Sequence, residues 1–244
     1  MSTISDKVKQ LQDTIAAVCA RTNRSENSVK LIVVTKTASI EGIRQVIKLG
    51  MTDLGENRVQ HLKQVVEDLP GLFEKEGDDK SLLENVNWHM IGHLQRNKVK
   101  QTLKLCNTIH SLDTLRLAEE INIQAQKQGI HANVLLQVNC SGENQKYGCP
   151  VGAAIHLAEQ FTTMPNLRLI GLMTMAPLTM DKGRVRACFA RAREIFEEIR
   201  GERIAGAKFK HLSMGMSQDY DIAIEEGATM LRIGSALFGP RDYP

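Results

Sequence analysis

The 244-residue chain carries 31 Lys and Arg against 28 Asp and Glu, a net charge of +3, with 42% hydrophobic and 24% charged residues. This is the balance of a soluble globular protein, long enough to bury the core of one large α/β domain. So small a net charge, with aromatics at only 4%, argues against nucleic acid as a partner, which needs a basic stripe or stacking platforms.

Ile4, Val8, Leu11, Ile15 and Val18 recur at 4-3-4-3 spacing, one apolar stripe on a helix of about five turns that Ser2 or Thr3 caps. The run Lys30-Leu31-Ile32-Val33-Val34-Thr35-Lys36-Thr37 reads as a strand buried on both faces. A helix over 39–49, closed by Gly50, follows it. Residues 53–57 read as a short strand end and 58–67 as a helix. The charged stretch 70–84, with Pro70, Gly71 and Gly77, reads as an exposed loop and a candidate lid. Strands are then expected over 86–91, 108–112, 132–138, 167–172, 209–212 and 229–233. Helices are expected over 95–105, 114–128, 150–161, 182–199 and 217–226. Eight strand–helix units joined by right-handed crossovers predict a single (β/α)8 TIM-type barrel with an extra N-terminal helix, occupying 1–244 as one domain. A doubly wound open sheet is the rival arrangement.

In a barrel, the carboxyl ends of the strands form the functional mouth. They fall on Lys36, Asn57, 89–93, Ser111, Asn139, Met173-Thr174, Ser213 and Arg232, nearly all polar after apolar strand bodies. Lys36, at the end of a buried strand, is expected to be partly desolvated, which frees an amine to attack a carbonyl. The stretches 211–217 and 232–236 offer glycines, hydroxyls and amide N–H groups where barrels bind phosphate. A reactive lysine beside a phosphate site leaves two chemistries open. One is an imine-forming sugar-phosphate aldolase; the other is pyridoxal 5′-phosphate (PLP) held on Lys36. Arg232 tips the balance toward PLP, because a guanidinium there can face the pyridine nitrogen or the phosphate.

Other chemistries fit poorly. His89 and His93 flank a strand end, not a helix face, so their spacing does not make a metal site. His110 and His211 are expected to pack or hydrogen-bond locally. The five cysteines are odd in number and form no C-x-x-C pair. They suit reduced thiols in a cytoplasmic protein, and none has the companions of a nucleophile. No stretch approaches the ~18 apolar residues of a membrane span, and the first ten residues carry no apolar signal core.

Taken together, several stretches are more specific than any one alone. They are Val33-Val34-Thr35-Lys36, Gly55-Glu56-Asn57-Arg58-Val59-Gln60, Trp88-His89-Met90-Ile91-Gly92-His93-Leu94-Gln95-Arg96-Asn97-Lys98, Gln137-Val138-Asn139 with Glu143 and Lys146, Gly171-Leu172-Met173-Thr174, Leu212-Ser213-Met214-Gly215-Met216-Ser217 and Arg232-Ile233-Gly234-Ser235-Ala236-Leu237-Phe238-Gly239. In this order and over nearly the whole chain, they resemble the YggS/PROSC family, the pyridoxal phosphate homeostasis proteins. His93 stands where many bacterial members have proline, and Ser141-Gly142-Glu143 looks like the eukaryotic ones.

The resemblance implies a barrel like the N-terminal domain of alanine racemase, with PLP as an imine on Lys36. It implies that Ser213, Gly234 and Ser235 hold the phosphate, that Arg232 lies beside the cofactor and that Asn57 borders the ring. The expected function is intracellular PLP buffering and delivery without robust catalysis, with PLP-dependent apo-enzymes as partners. The alternative is a PLP-dependent amino-acid racemase, which needs a second base; of Tyr147, Tyr220 and Tyr243, none is expected on a strand end. The chain ends shortly after its eighth strand, so the racemase β-domain and its dimer interface are not expected, and a monomer is.

Overall fold

A computed structural model describes residues 2–239. The strands are β1 (Lys30–Val34), β2 (Asp53–Glu56), β3 (Asn87–Met90), β4 (Thr108–Leu112), β5 (Ala132–Asn139), β6 (Cys149–Pro150), β7 (Leu167–Met173), β8 (His211–Ser213) and β9 (Met230–Ile233). All pairings are parallel, and both β1–β9 and β4–β5 are paired. The sheet therefore closes on itself as an eight-stranded barrel, with the two-residue β6 an extra pair on the edge of β5. Closure rules out the open doubly wound rival.

The helices are α1 (Ile4–Arg21), α2 (Ile40–Lys48), α3 (Val59–Lys75), α4 (Val99–Leu105), α5 (Leu115–Gln128), α6 (Ala154–Thr162), α7 (Lys182–Gly201), α8 (Tyr220–Glu225) and α9 (Ser235–Phe238). Thr3 caps α1 in a capping box: its hydroxyl accepts the Asp6 N–H, and the Asp6 carboxylate accepts the Thr3 N–H. The α1 stripe Val8, Leu11, Ile15 and Val18 is buried against α2, α8 and α9, and Lys7 Nζ donates to the Leu237 carbonyl at 3.1 Å. The extra helix thus ties the last strand–helix unit to the first.

Strand residues alternate between two environments. Those facing the helices, such as Val33, Leu54, Met90, Ile109, Val134, Leu172, Leu212 and Ile233, are essentially inaccessible and join the apolar stripes of the helices in one core. Those facing the barrel axis form a small separate apolar cluster of Ile32, Leu135, Met173 and Met230. The rest of the interior is polar, as described below.

The main departure from the sequence reading is 70–84. Residues 70–75 continue α3, with Pro70 inside the helix. Proline there forfeits one backbone bond, but Val65, Leu69 and Phe73 are buried at helical spacing, and that burial carries the helix through. Asp79 then caps a 3₁₀ segment at Lys80–Asn85, and Asp78 pairs with Arg44 and with Lys48 Nζ at 2.6 Å. Because α3 starts at the mouth and runs back along the barrel, this segment lies at the amino-terminal end, opposite the mouth, and is no lid.

Smaller departures follow the same logic of tertiary override. The expected helix 95–105 is a 3₁₀ turn at Arg96–Lys98 followed by α4. The expected helix 150–161 begins only at Ala154, because Cys149 and Pro150 pair with β5.

Candidate functional site

Lys36 stands in a turn just past β1, where Ala38 N donates to the Thr35 carbonyl at 2.9 Å. The residue before it is fixed from behind. Thr35 is fully buried, and its hydroxyl donates to Oε1 of the equally buried Glu56. Oε2 of Glu56 lies 3.1 Å from His61 Nδ1 on α3. The Lys36 turn is therefore braced by a carboxylate from the neighbouring strand, a role that sequence reasoning did not assign to Glu56. Lys36 itself is exposed. The apolar strand buries what precedes the lysine, while the turn lifts the lysine into solvent.

Beside it, β9 pairs with β1 so that Ile32 is level with Arg232 and Val33 with Ile233. Arg232 points into the barrel and is 4% exposed. Its Nη1 donates to Ser213 Oγ at 2.7 Å and its Nη2 to the Thr174 carbonyl at 2.8 Å. Burial lowers its pKa to about 10, against a nearby Asp219 that favours the charge, so it stays a cation at neutral pH. Burial raises the pKa of Asp219, whose carboxylate accepts the Met216 N–H. The two bonds from Arg232 use two of a guanidinium's five N–H donors.

The loop after β9 passes close to β1. A Cβ on Gly234 would lie 2.8 Å from the Val34 carbonyl oxygen, so only glycine lets the loop settle against the strand that carries Lys36. Gly234 caps α9, and Ser235 is exposed as its first residue. Ser217 Oγ accepts the Ala236 N–H at 3.3 Å, which draws the loop after β8 to the same point. Lys36, Arg232, Gly234 and Ser235 are thus brought together in one sector of the mouth, over β9 and β1.

Ser213 is not at that surface. It is fully buried, with its hydroxyl between Arg232 Nη1 and His110 Nδ1, 3.0 Å away. The structure sets it beneath Arg232 as a support, whereas the Ser217 hydroxyl lies beside the glycine–serine loop. Ser217 had a sequence signal, the second serine of the Ser213–Ser217 stretch, but strand-end counting selected the first. Asn57 is half-buried after β2. Its backbone is pressed by Gly92, where a Cβ would fall 2.4 Å from the Asn57 carbonyl oxygen. Ser111 is buried within β4, and the Asn139 amide donates to the Glu143 carbonyl at 2.9 Å, bracing the loop after β5.

Across the mouth, His93 and Tyr147 stack with ring centroids 4.0 Å apart and planes 11° from parallel. Tyr147 comes there because β6 pairs with β5 and folds the 140–148 loop back over the strand end; the Gln137 side chain donates to its carbonyl at 3.0 Å. Tyr147 thus lies on no strand end, as expected, and it is the loop that brings its ring against His93. Tyr220 begins α8, and Tyr243 lies outside the described residues. Burial pushes the thiols of Cys106, Cys149 and Cys188 up to about 12, which suits inert core groups.

Comparison with known proteins agrees with this geometry. The family model described as alanine racemase, N-terminal domain, matches residues 7–242. A pyridoxal phosphate homeostasis protein of Aquifex aeolicus is 39% identical over 98% of both chains. One from Pseudomonas aeruginosa is 37% identical over all of this chain and 98% of the relative. Among solved structures, PipY of Synechococcus elongatus PCC7942 with PLP bound is 31% identical with a TM-score of 0.78, covering 92% of this chain and 100% of that one. Among the described residues no helix is long and apolar enough to cross a membrane. The chain belongs to the family of pyridoxal phosphate homeostasis proteins, built on the N-terminal domain of alanine racemase.

Proposed function

We propose that this chain binds PLP as a Schiff base on Lys36 and serves in PLP homeostasis, buffering the cofactor and delivering it to apo-enzymes, without robust catalysis of its own. One observation carries the reading: an exposed lysine, a buried arginine and a glycine–serine loop meet in a single sector of the barrel mouth. The residues present fit the group. Arg232 is a desolvated cation held by a hydroxyl and a carbonyl, with donors to spare for an acceptor such as a pyridine nitrogen. Gly234 and Ser235, joined by Ser217, offer small side chains, hydroxyls and backbone N–H groups suited to a phosphate.

PLP supplies an aldehyde and an electron-withdrawing ring. Lys36 would hold the cofactor through its Nζ, the amine that suits an aldehyde. Asn57 would border the bound ring, and Ser213 supports Arg232 from below. An exposed lysine suits a cofactor that must be handed on, because recipients can reach the linkage. The naming of relatives at 37–39% identity as homeostasis proteins supports the same role. In this reading 1–244 is one PLP-binding domain, acting as a cytoplasmic monomer.

The test is an absorbance spectrum of the protein loaded with PLP, before and after borohydride, beside Lys36→Ala. A visible band that borohydride fixes in the wild type and that the variant lacks is the expected result. Amino acids added afterwards should give no sustained turnover; steady racemisation would favour the racemase. A colourless protein that takes up no PLP would overturn the reading and leave an aldolase or a plain phosphate-binding barrel.

A further inference from the structure

The polar groups inside the barrel form one connected line. From the mouth downward, Arg232 Nη1 meets Ser213 Oγ at 2.7 Å, Ser213 Oγ meets His110 Nδ1 at 3.0 Å, and His110 Nε2 meets His89 Nδ1 at 2.9 Å. His89 Nε2 then meets Asp53 Oδ1 at 3.0 Å, and Lys30 Nζ reaches the same oxygen at 3.0 Å. His110 and Ser213 are fully buried, and His89 and Arg232 nearly so. Lys30 and Asp53 open β1 and β2, so the line spans the barrel from its amino-terminal base to the floor of the mouth.

The chemistry at the two ends fixes its direction. A guanidinium only donates and an ionised carboxylate only accepts. The barrel already holds the Arg232 cation, and Lys30 already neutralises Asp53, so a further buried cation on the histidines is disfavoured. With both imidazoles neutral, Asp53 accepts a hydrogen bond from His89 Nε2–H. His89 Nδ1 must then accept from His110 Nε2–H, and His110 Nδ1 must accept from the Ser213 hydroxyl. That leaves a Ser213 lone pair for Arg232. From Arg232 to Asp53, every hydrogen bond points from the mouth to the base. Burial pulls His110 well below the usual histidine range. Burial opposes ionisation of Asp53, but bonds from His89 and Lys30 outweigh it.

We infer that His89 and His110 are positioning residues for Arg232: as Nε2–H tautomers in a one-way hydrogen-bonded chain, they transmit the identity of Asp53 at the base of the barrel to the guanidinium at its mouth. The consequence for cofactor binding rests on the PLP reading above, but the chain itself does not. Asp53 is therefore a residue of the site although it lies at the opposite end of the barrel.

The test uses the ¹⁵N-labelled full chain without PLP. Long-range ¹H–¹⁵N spectra report the tautomer of each imidazole, and the Arg232 guanidinium protons report its confinement by their exchange with water. In the wild type, His89 and His110 should both be neutral Nε2–H tautomers, with slowly exchanging Arg232 protons. In Asp53→Asn, whose amide can donate as well as accept, Nδ1–H signals should appear at both histidines and Arg232 exchange should speed up. The same variant should bind PLP about fivefold more weakly, the scale of one hydrogen bond. If Asp53→Asn does not fold, His89→Gln interrupts the chain one link higher, and faster Arg232 exchange is expected there too. An imidazolium or Nδ1–H form in the wild type would overturn the direction. Altered tautomers with unchanged Arg232 exchange would overturn the coupling. A wild type that shows the predicted tautomers and exchange but takes up no PLP would overturn the cofactor reading while supporting the chain.

Discussion

The two faces of the barrel strands are built on opposite terms. The outer face is a uniform apolar layer against the helices, with Leu54, Ile109, Val134, Leu172 and Ile233 all at 0–1% exposure. The inner face sets four apolar residues beside two histidines, an arginine, a serine and a carboxylate joined in one line. The outer layer stabilises by excluding water and is indifferent to direction. The inner line contributes little net stability for its burial, because each bond replaces one to water. What it provides is orientation. Stability and site are thus separated by the alternation of side chains along the same short strands.

Substitutions that act on one face and spare the other sharpen this contrast. The largest functional effect belongs to Lys36→Ala, which should abolish borohydride-fixable PLP. Because Lys36 is exposed, unfolding in urea should shift by no more than about 0.5 kcal/mol. Leu62→Ala acts on the outer layer, where Leu62 is fully buried on α3. It should cost about 2–5 kcal/mol in urea unfolding, with PLP stoichiometry unchanged in the folded protein. A loss of PLP binding larger than the loss of folded protein would break the separation.

Ser213→Ala lies between these extremes. It leaves Arg232 Nη1 and His110 Nδ1 without their shared partner, which should cost about 1–3 kcal/mol. PLP should also dissociate faster in stopped-flow competition. The gentlest effect is on pH dependence. Burial lowers His211 to about 4 and His110 well below 6.5. The unfolded chain, with both near 6.5, binds more protons than the folded one across that interval. Stability should therefore be full above about pH 6.5 and fall as pH drops toward 4. Urea midpoints at pH 7 and pH 5 check this, with a smaller difference expected in His211→Asn.

The same contrast explains what the chain disclosed before folding. The outer layer writes itself as apolar runs such as Ile32-Val33-Val34 and as helical stripes such as Val8, Leu11, Ile15 and Val18, so the barrel and its leading helix were legible. So was the position of Lys36, Arg232 and Gly234 at the mouth, because strand ends can be read from where such runs stop. The inner line was not. His89 and His110 are 21 residues apart, and His110 and Ser213 103, so His110 reads as a residue that packs or hydrogen-bonds locally until strand order brings the three together. Ser217 and Tyr147 reach the mouth only through loops that β6 and α9 fold back, and Pro70 hid a helix that buried Leu69 and Phe73 sustain.

The central claim is that Lys36 is where PLP is held. Its most direct test is peptide mapping by mass spectrometry of the protein loaded with PLP and reduced with borohydride. The account predicts one phosphopyridoxyl group per chain, on the peptide containing Lys36. A modification spread over surface lysines, or placed on another lysine with Lys36 unmodified, would contradict it.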